Sequence, residues 1–342
     1  MAKRPNIKKT TIVDIARACG VSVATVSRIL NNKPDVADET RQRVLLFMEE
    51  QGFSPQIAWQ QLRSGKSRFI ALHFPQDFNP PSHRIITSAA MGCENAGYSL
   101  NLIANSLTPN ELLAVFRRGQ ADGIILMEIL THDWRVNLLR EQGIPFVMIG
   151  RCADNTGLSY VDVDIARGVQ DAIQHLYALG HRQIGFVTLA PMRQEKEYGF
   201  TTWAVKGYQA ACEQFGLPEL RCTVDLNMKD PSTVVVDLLD RHPEITAIVT
   251  PQEIGIAGVL KAIQLKKLRI FEDVSVVGLL DGSMSELLSP PLSTISFPSS
   301  EMGFEAVKIL ISDMTSSPSI PQQILIRPGL VVRGSIGPAR AG

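Results

Sequence analysis

No apolar run in this 342-residue chain approaches the roughly 20 residues needed to span a bilayer, so a helical membrane span is excluded. The first residues, MAKRPNIKKTTIVDIA, are basic but lack a continuous apolar stretch, so a secretory signal is not expected either. Cysteine is scarce: Cys19, Cys93, Cys152, Cys212 and Cys222 are an odd, well-separated set without a CxxC pair. That argues against a disulfide framework and a thiolate zinc site, and it fits a reducing cytoplasm. Catalytic signatures are missing too. There is no Walker-type phosphate loop, no GxGxxG and no HExxH, and His73, His83, His132, His175, His181 and His242 show no metal-ligand spacing. His175 and His181 read as surface or capping residues. Neither an enzyme nor a bound metal or cofactor is expected.

Charge of one sign is also lacking overall, with 34 Lys+Arg against 34 Asp+Glu, which at first argues against a polyanionic partner. The balance is a sum of unlike parts. Residues 1–66 carry 11 Lys+Arg against 6 Asp+Glu, whereas residues 67–342 carry 23 against 28. A basic N-terminal module suits phosphate, and an acidic remainder is repelled by it. The chain is long enough to bury a large core and to form more than one domain.

Thr11 to Ala18 has apolar residues at Ile12, Ile15 and Ala16, with Thr11 and Asp14 at capping-box spacing, and the pattern breaks at Gly20. Ser22 is a suitable N-cap for a second helix, Val23 to Leu30. Its Val26, Ile29 and Leu30 form an apolar side, and Val23, Ala24, Ser27 and Arg28 are left on the other. A third helix over about 38–51 buries Val44, Phe47 and Met48. Two short helices across a glycine turn make the helix-turn-helix pattern, whose second helix enters the DNA major groove. A plain helical hairpin packs the same way, with Val23 inside it.

The run TIVDIARACGVSVATVSRILNNKPDVADETRQRVLLFMEEQGFSP resembles the headpiece of the LacI/GalR (lactose/galactose repressor) family. D-I-A, G-V-S, T-V-S-R-x-L-N and T-R-x-R-V occur in order and at the family's spacing. The resemblance implies a transcription regulator, most often a repressor, with an all-α helix-turn-helix headpiece over 1–54, a hinge over 55–66 and an effector-binding and dimerisation core over 67–342. It implies that Val23 and Ala24 meet base edges through apolar contact and that Arg28 reads a guanine or a phosphate. Thr11, Ser22, Thr25, Ser27 and Asn31 would hold the DNA backbone. In the hinge, Ile57, Ala58, Gln61 and Leu62 would lie at the minor groove, with Leu62 as a wedge between central base pairs. This chain departs from the family at Ala37, where a Ser is usual, leaving Asp38 to cap the third helix. It departs again at Trp59, where the family has a small residue: a Trp there would crowd a paired hinge, pack against sugar or lengthen the wedge.

Short Val/Ile/Leu runs at 69–72, 99–103, 123–127, 146–149, 184–188, 247–250 and 274–278 alternate with helical stretches. That pattern predicts an α/β core of parallel sheets covered on both faces. QADGIIL, GIPFVMIG, HLYALGHRQIGF, KGYQAA, VSVVG and PPLSTI resemble the family's two-lobed periplasmic-binding-protein-like core. By analogy one lobe spans about 67–162 and 293–319, and the other about 163–292 and 320–335. Crossovers near 161–164, 289–295 and 317–321 would be hinges.

Such sheets bind ligands beyond the carboxyl ends of their strands. The resemblance implies a small-molecule effector there, with His73, Phe74, Asp77, Arg151, Met192, Gln252, Glu253 and Asp281 as candidate contacts. Sugar-responsive members carry an Arg where this chain has Ala204, a first acid where it has Leu280, and Asn-Asp where it has Gln252-Glu253. Lys206 is rotated by about 200° from Ala204 and should face solvent. Losing an Arg and an Asp disfavours a simple hexose. A larger or less polar metabolite, a phosphorylated or nucleoside-like one, or no effector all stay open. The expected protein is a homodimeric, effector-controlled regulator of a pseudo-palindromic operator. The alternative is a solute-binding protein with the same core and no DNA role.

Overall fold

The computed structural model describes residues 12–30, 33, 35–50, 67–74, 80–190, 199–225, 228–280, 282–315 and 320–340. Two compact units, Met1–Arg68 and Phe69–Gly342, are taken in turn.

In the first unit, helices α1 (Ile12–Ala18), α2 (Val23–Leu30) and α3 (Asp38–Glu50) enclose a small core. Ile15, Ala16, Cys19, Val26, Ile29, Val44 and Met48 are buried there, and Phe47 packs at the margin. Gly20 closes α1 with a φ of +65°, a left-handed conformation that a side chain would oppose. Ser22 Oγ accepts the Thr25 N–H at 3.0 Å, as an N-cap does. Asp38 lies inside the first turn of α3 with Glu39, so it complements the helix dipole instead of standing before the helix as its cap. Arg41 of α3 donates to the carbonyls of Ile29, at 3.3 Å, and of Lys33, which ties α3 to the end of α2.

The second unit holds two six-stranded sheets. The first contains β1 (Phe69–His73), β2 (Ser99–Ile103), β3 (Gly123–Leu126), β4 (Phe146–Ile149), β5 (Tyr160–Val163) and a late strand, Gln323–Ile326. The second contains β6 (Ile184–Leu189), β7 (Leu220–Val224), β8 (Ala247–Thr250), β9 (Ser275–Gly278), β10 (Ser293–Ile295) and Leu330–Val331. We number the two late strands β11 and β12. All pairings are parallel except that of β10 with β12. GIIL of β3, AIVT of β8 and SVVG of β9 are buried throughout, as strands covered on both faces must be.

The division between lobes differs from the expected one in two places. β10 pairs in parallel with β9, so residues 293–295 belong to the second sheet, and β11 pairs with β5, so residues 323–326 belong to the first. The chain therefore crosses near 164, between 295 and 299, and between 326 and 330. β10 is wholly buried inside its sheet, whereas β11 is a half-exposed edge whose burial alternates along QILI.

Candidate nucleic-acid interface and ligand cleft

α2 is two-sided. Val26 and Ile29 are buried, while Val23 is 46% exposed and Ala24 and Arg28 are exposed beside it. The packed alternative for Val23 is thereby ruled out. Thr25 and Ser27 are half-buried, and Ser22 Oγ sits 2.8 Å from Thr25 Oγ1 at the start of the helix. Arg28 Nε lies 3.6 Å from an Asp35 carboxylate with both side chains more than half exposed, a pairing worth little in water and readily exchanged for a phosphate or a base. The helix thus offers apolar contact from its first turn and a cationic fork from its second, while Val26 and Ile29 hold it in place. Thr11, Asn31, Ile57, Ala58, Gln61 and Leu62 lie outside the described residues, as does Trp59.

In the second unit the strand ends bring together residues that sequence reasoning did not connect. His73, at the end of β1, is buried, and both its ring nitrogens are engaged. Arg135 Nη1 donates to Nδ1 at 3.0 Å, which leaves Nε2–H to donate to the Asn105 carbonyl, also at 3.0 Å. Burial, and then the neighbouring Arg135 charge, lower the His73 pKa from its ordinary value of 6.5. Arg135 opens helix α6 (Trp134–Glu141, counting α4 as Pro80–Asn95 and α5 as Pro109–Arg117). Its guanidinium meets Asp133 at 2.6 and 2.9 Å and donates to the carbonyls of Met127 and Glu128. Asp133 in turn accepts the Arg135 and Leu130 N–H groups. His73 is therefore a locked structural residue and not an effector contact, and Phe74, fully buried in the core, is likewise withdrawn from that role. The Asp-x-Arg pair is visible in sequence, but its partner His73 lies 62 residues away, and no periodicity announces that contact.

Across the cleft stands helix α8 (Gly199–Phe215), packed on α7 (Ile165–Ala178) of the second lobe. The Gly199 N–H donates to the Ile129 carbonyl at 3.1 Å, and a Cβ at Gly199 would come within 2.4 Å of the Arg151 carbonyl oxygen. Only glycine permits that approach between lobes. Arg151 Nε donates to Asp162 at 2.7 Å, and the guanidinium stacks 4.4 Å from the Trp203 ring. Burial pushes the Asp162 carboxyl upward against the pull of Arg151. Ala204 is buried, while Lys206 is exposed with its ammonium 4.3 Å from the outer Trp203 ring, as the helical rotation requires.

Near the end of β6 and just beyond β8, the Thr188 hydroxyl and both amide atoms of Gln252 are buried without a hydrogen-bond partner. Such groups cost about 1–3 kcal/mol each when unmet, so they are the natural contacts for a polar ligand. Glu253 follows in the first turn of α10 (Glu253–Leu265, with α9 at Ser232–Arg241). Asp77, Met192 and Asp281 lie outside the described residues. Among the described residues no cluster of His, Cys, Asp and Glu could hold a metal, and no helix is long and apolar enough to cross a membrane.

His181 is buried, contrary to a surface role, with Nδ1 2.8 Å from Thr246 Oγ1 and Nε2 3.0 Å from the Gly337 carbonyl. Burial lowers its pKa below 6.5, as it does for His73. Because both folded values are depressed, the unfolded chain takes up protons near pH 6.5 that the folded chain refuses. Stability is then full above pH 6.5 and falls as pH drops below it, until the folded values are reached. The buried Glu128 and Asp162 carboxyls, whose values are raised, act in the opposite sense, so the test is a comparison: urea midpoints between pH 7.5 and 5.5 should decline more in the wild type than in His181→Gln, and parallel series would refute the neutral assignment of that ring.

Residues 11–56 match the model of bacterial regulatory proteins of the lacI family, and residues 173–336 match the periplasmic binding protein-like domain. The HTH-type transcriptional regulator MalR of Streptomyces coelicolor is 30% identical over 96% of this chain and 97% of its own length. The HTH-type transcriptional regulator DegA of Bacillus subtilis is 29% identical over 96% of this chain and 99% of its own. A solved complex of the transcriptional regulator CelR with cellobiose superposes with a TM-score of 0.71 at 25% identity, covering 97% of this chain and 100% of that one. An exposed recognition face on a three-helix headpiece, two parallel-sheet lobes and relatives matched almost end to end agree: the chain belongs to the LacI family of DNA-binding transcriptional regulators and is not an enzyme.

Proposed function

We propose that the chain is a cytoplasmic repressor that binds a pseudo-palindromic operator as a homodimer and is controlled by a small molecule in the cleft of its second unit. The observation that carries this reading is the exposure of Val23, Ala24 and Arg28 on a helix whose Val26 and Ile29 are buried. Val23 and Ala24 meet base edges, Arg28 supplies the polar readout, and Ser22, Thr25 and Ser27 face the DNA backbone together with Thr11 and Asn31. The hinge residues Ile57, Ala58, Gln61 and Leu62 complete the contact at the minor groove. Exposed apolar side chains support a second copy. Met284 and Leu287 are 47% and 80% exposed, and Met91 and Phe304 are exposed on α4 and on α12 (Ser299–Thr315, with α11 at Gly282–Glu286).

The partnerless Gln252 amide and Thr188 hydroxyl support effector binding, with Arg151 and Glu253, and with Asp77, Met192 and Asp281 as further contacts. Selection from a random pool of duplexes, with sedimentation equilibrium of the free protein, tests the reading. Recovered sequences should be two-fold symmetric and the free mass should be that of two chains. Asymmetric sites bound by a single chain would refute it.

A further inference from the structure

The start of α8 turns one face toward the other lobe. Trp203 lies four residues from Gly199 and three from Phe200, so the three share a side of the helix. The Gly199 N–H reaches the Ile129 carbonyl at 3.1 Å, and the Trp203 ring meets the Arg151 guanidinium at 4.4 Å. Between them the Phe200 ring stands 6.1 Å from that of Phe297, in the crossover after β10. Ile129 and Arg151 lie beyond β3 and β4 of the first sheet, whereas α8 belongs to the second lobe. Two of the three contacts therefore join one lobe to the other.

Each half of the stack is set within its own lobe. Arg151 Nε is held by Asp162 at 2.7 Å, and the two side chains are only 12% and 7% exposed. Trp203 is half-buried, with the Lys206 ammonium of its own helix 4.3 Å from the ring. Groups already oriented lose little further freedom on meeting, so the attraction between them goes into holding the lobes. The backbone is built for the same approach, since a Cβ at Gly199 would come within 2.4 Å of the Arg151 carbonyl oxygen. We propose that Trp203 and Arg151 form a latch that holds the two lobes of the second unit together without any ligand, with Gly199 as their point of closest approach. This goes beyond the operator-binding reading and does not depend on it. A contact made in only one arrangement of the lobes shifts their equilibrium toward that arrangement. A ligand entering the cleft then finds the lobes already approached, so the latch also raises its apparent affinity.

Amide hydrogen exchange of the full chain, without DNA or ligand, tests the latch at the Gly199 N–H, which is bonded across the lobes. Trp203→Leu should speed exchange at that amide about two- to thirtyfold, the range a cation–π contact spans. The Val249 amide, in a strand inside the second sheet, should keep its wild-type rate. Trp203→Phe, which retains an aromatic face, should give a smaller rise. Gly199→Ala is a second, independent variant should the leucine form fold poorly. Alanine suits a helix better than glycine, yet its Cβ meets the Arg151 carbonyl, so exchange at position 199 should rise here too once the intrinsic rates of the two residues are allowed for. Wild-type protection at position 199 in either folded variant overturns the latch. An equal rise at Val249 also overturns it, because the tryptophan would then be a support of the second lobe's own core.

Discussion

Replacing Asp133 with alanine should destabilise the second unit by about 3–5 kcal/mol, because it leaves the buried Arg135 guanidinium without its counter-charge. The same change removes the side-chain acceptor of the Arg135 N–H at the start of α6 and of the Leu130 N–H. It also frees Arg135 to shift away from His73, whose orientation depends on it. Urea denaturation followed by circular dichroism measures the loss. Lys266→Ala is the matched comparison. Its pairing with Asp240 lies between partly exposed side chains, so the cost should stay within about 1 kcal/mol. Equal costs for the two variants would show that burial does not set the value of the Asp133–Arg135 pair.

Arg28→Ala should cost about 1–3 kcal/mol of discrimination between operator and unrelated DNA if the guanidinium reads a base. If Arg28 touches only phosphate, the variant should instead weaken all duplexes alike. Headpiece stability should change little, since Arg28 is exposed and its pairing with Asp35 is solvent-screened. Competition binding with specific and random duplexes distinguishes the two roles, and wild-type behaviour on both duplexes would refute them together.

The headpiece was legible in the sequence because its signals are local. The Gly20 turn, the Ser22 cap and the spacing of Val26 and Ile29 act within a few residues, and each appears in the fold as expected. The parallel strands were legible for the same reason, since fully buried runs such as AIVT and SVVG have no polar face to confuse them. What escaped was long-range. β11 pairs with β5, far back in the chain, and although β10 joins the nearby β9, neither short segment carries a pattern that names its neighbour. His73 looked like a ligand contact because it ends a strand, whereas its ring is spent on Arg135 and Asn105. Trp203 went unnoticed beside Ala204, although it is Trp203 that meets Arg151. A missing Arg is conspicuous in a motif, but a ring stacked across a cleft is conspicuous only in space.

The zero net charge of the whole chain hides the property on which its function depends. A basic headpiece and an acidic remainder should confine DNA contact to the first 66 residues, with phosphate attraction supplying most of the affinity. Titration of the full chain against a selected operator at about 50 mM and about 200 mM salt tests this most directly. If the headpieces engage six to ten phosphates, affinity should fall by about 10³- to 10⁵-fold between those conditions. An affinity that is flat with salt would contradict the account.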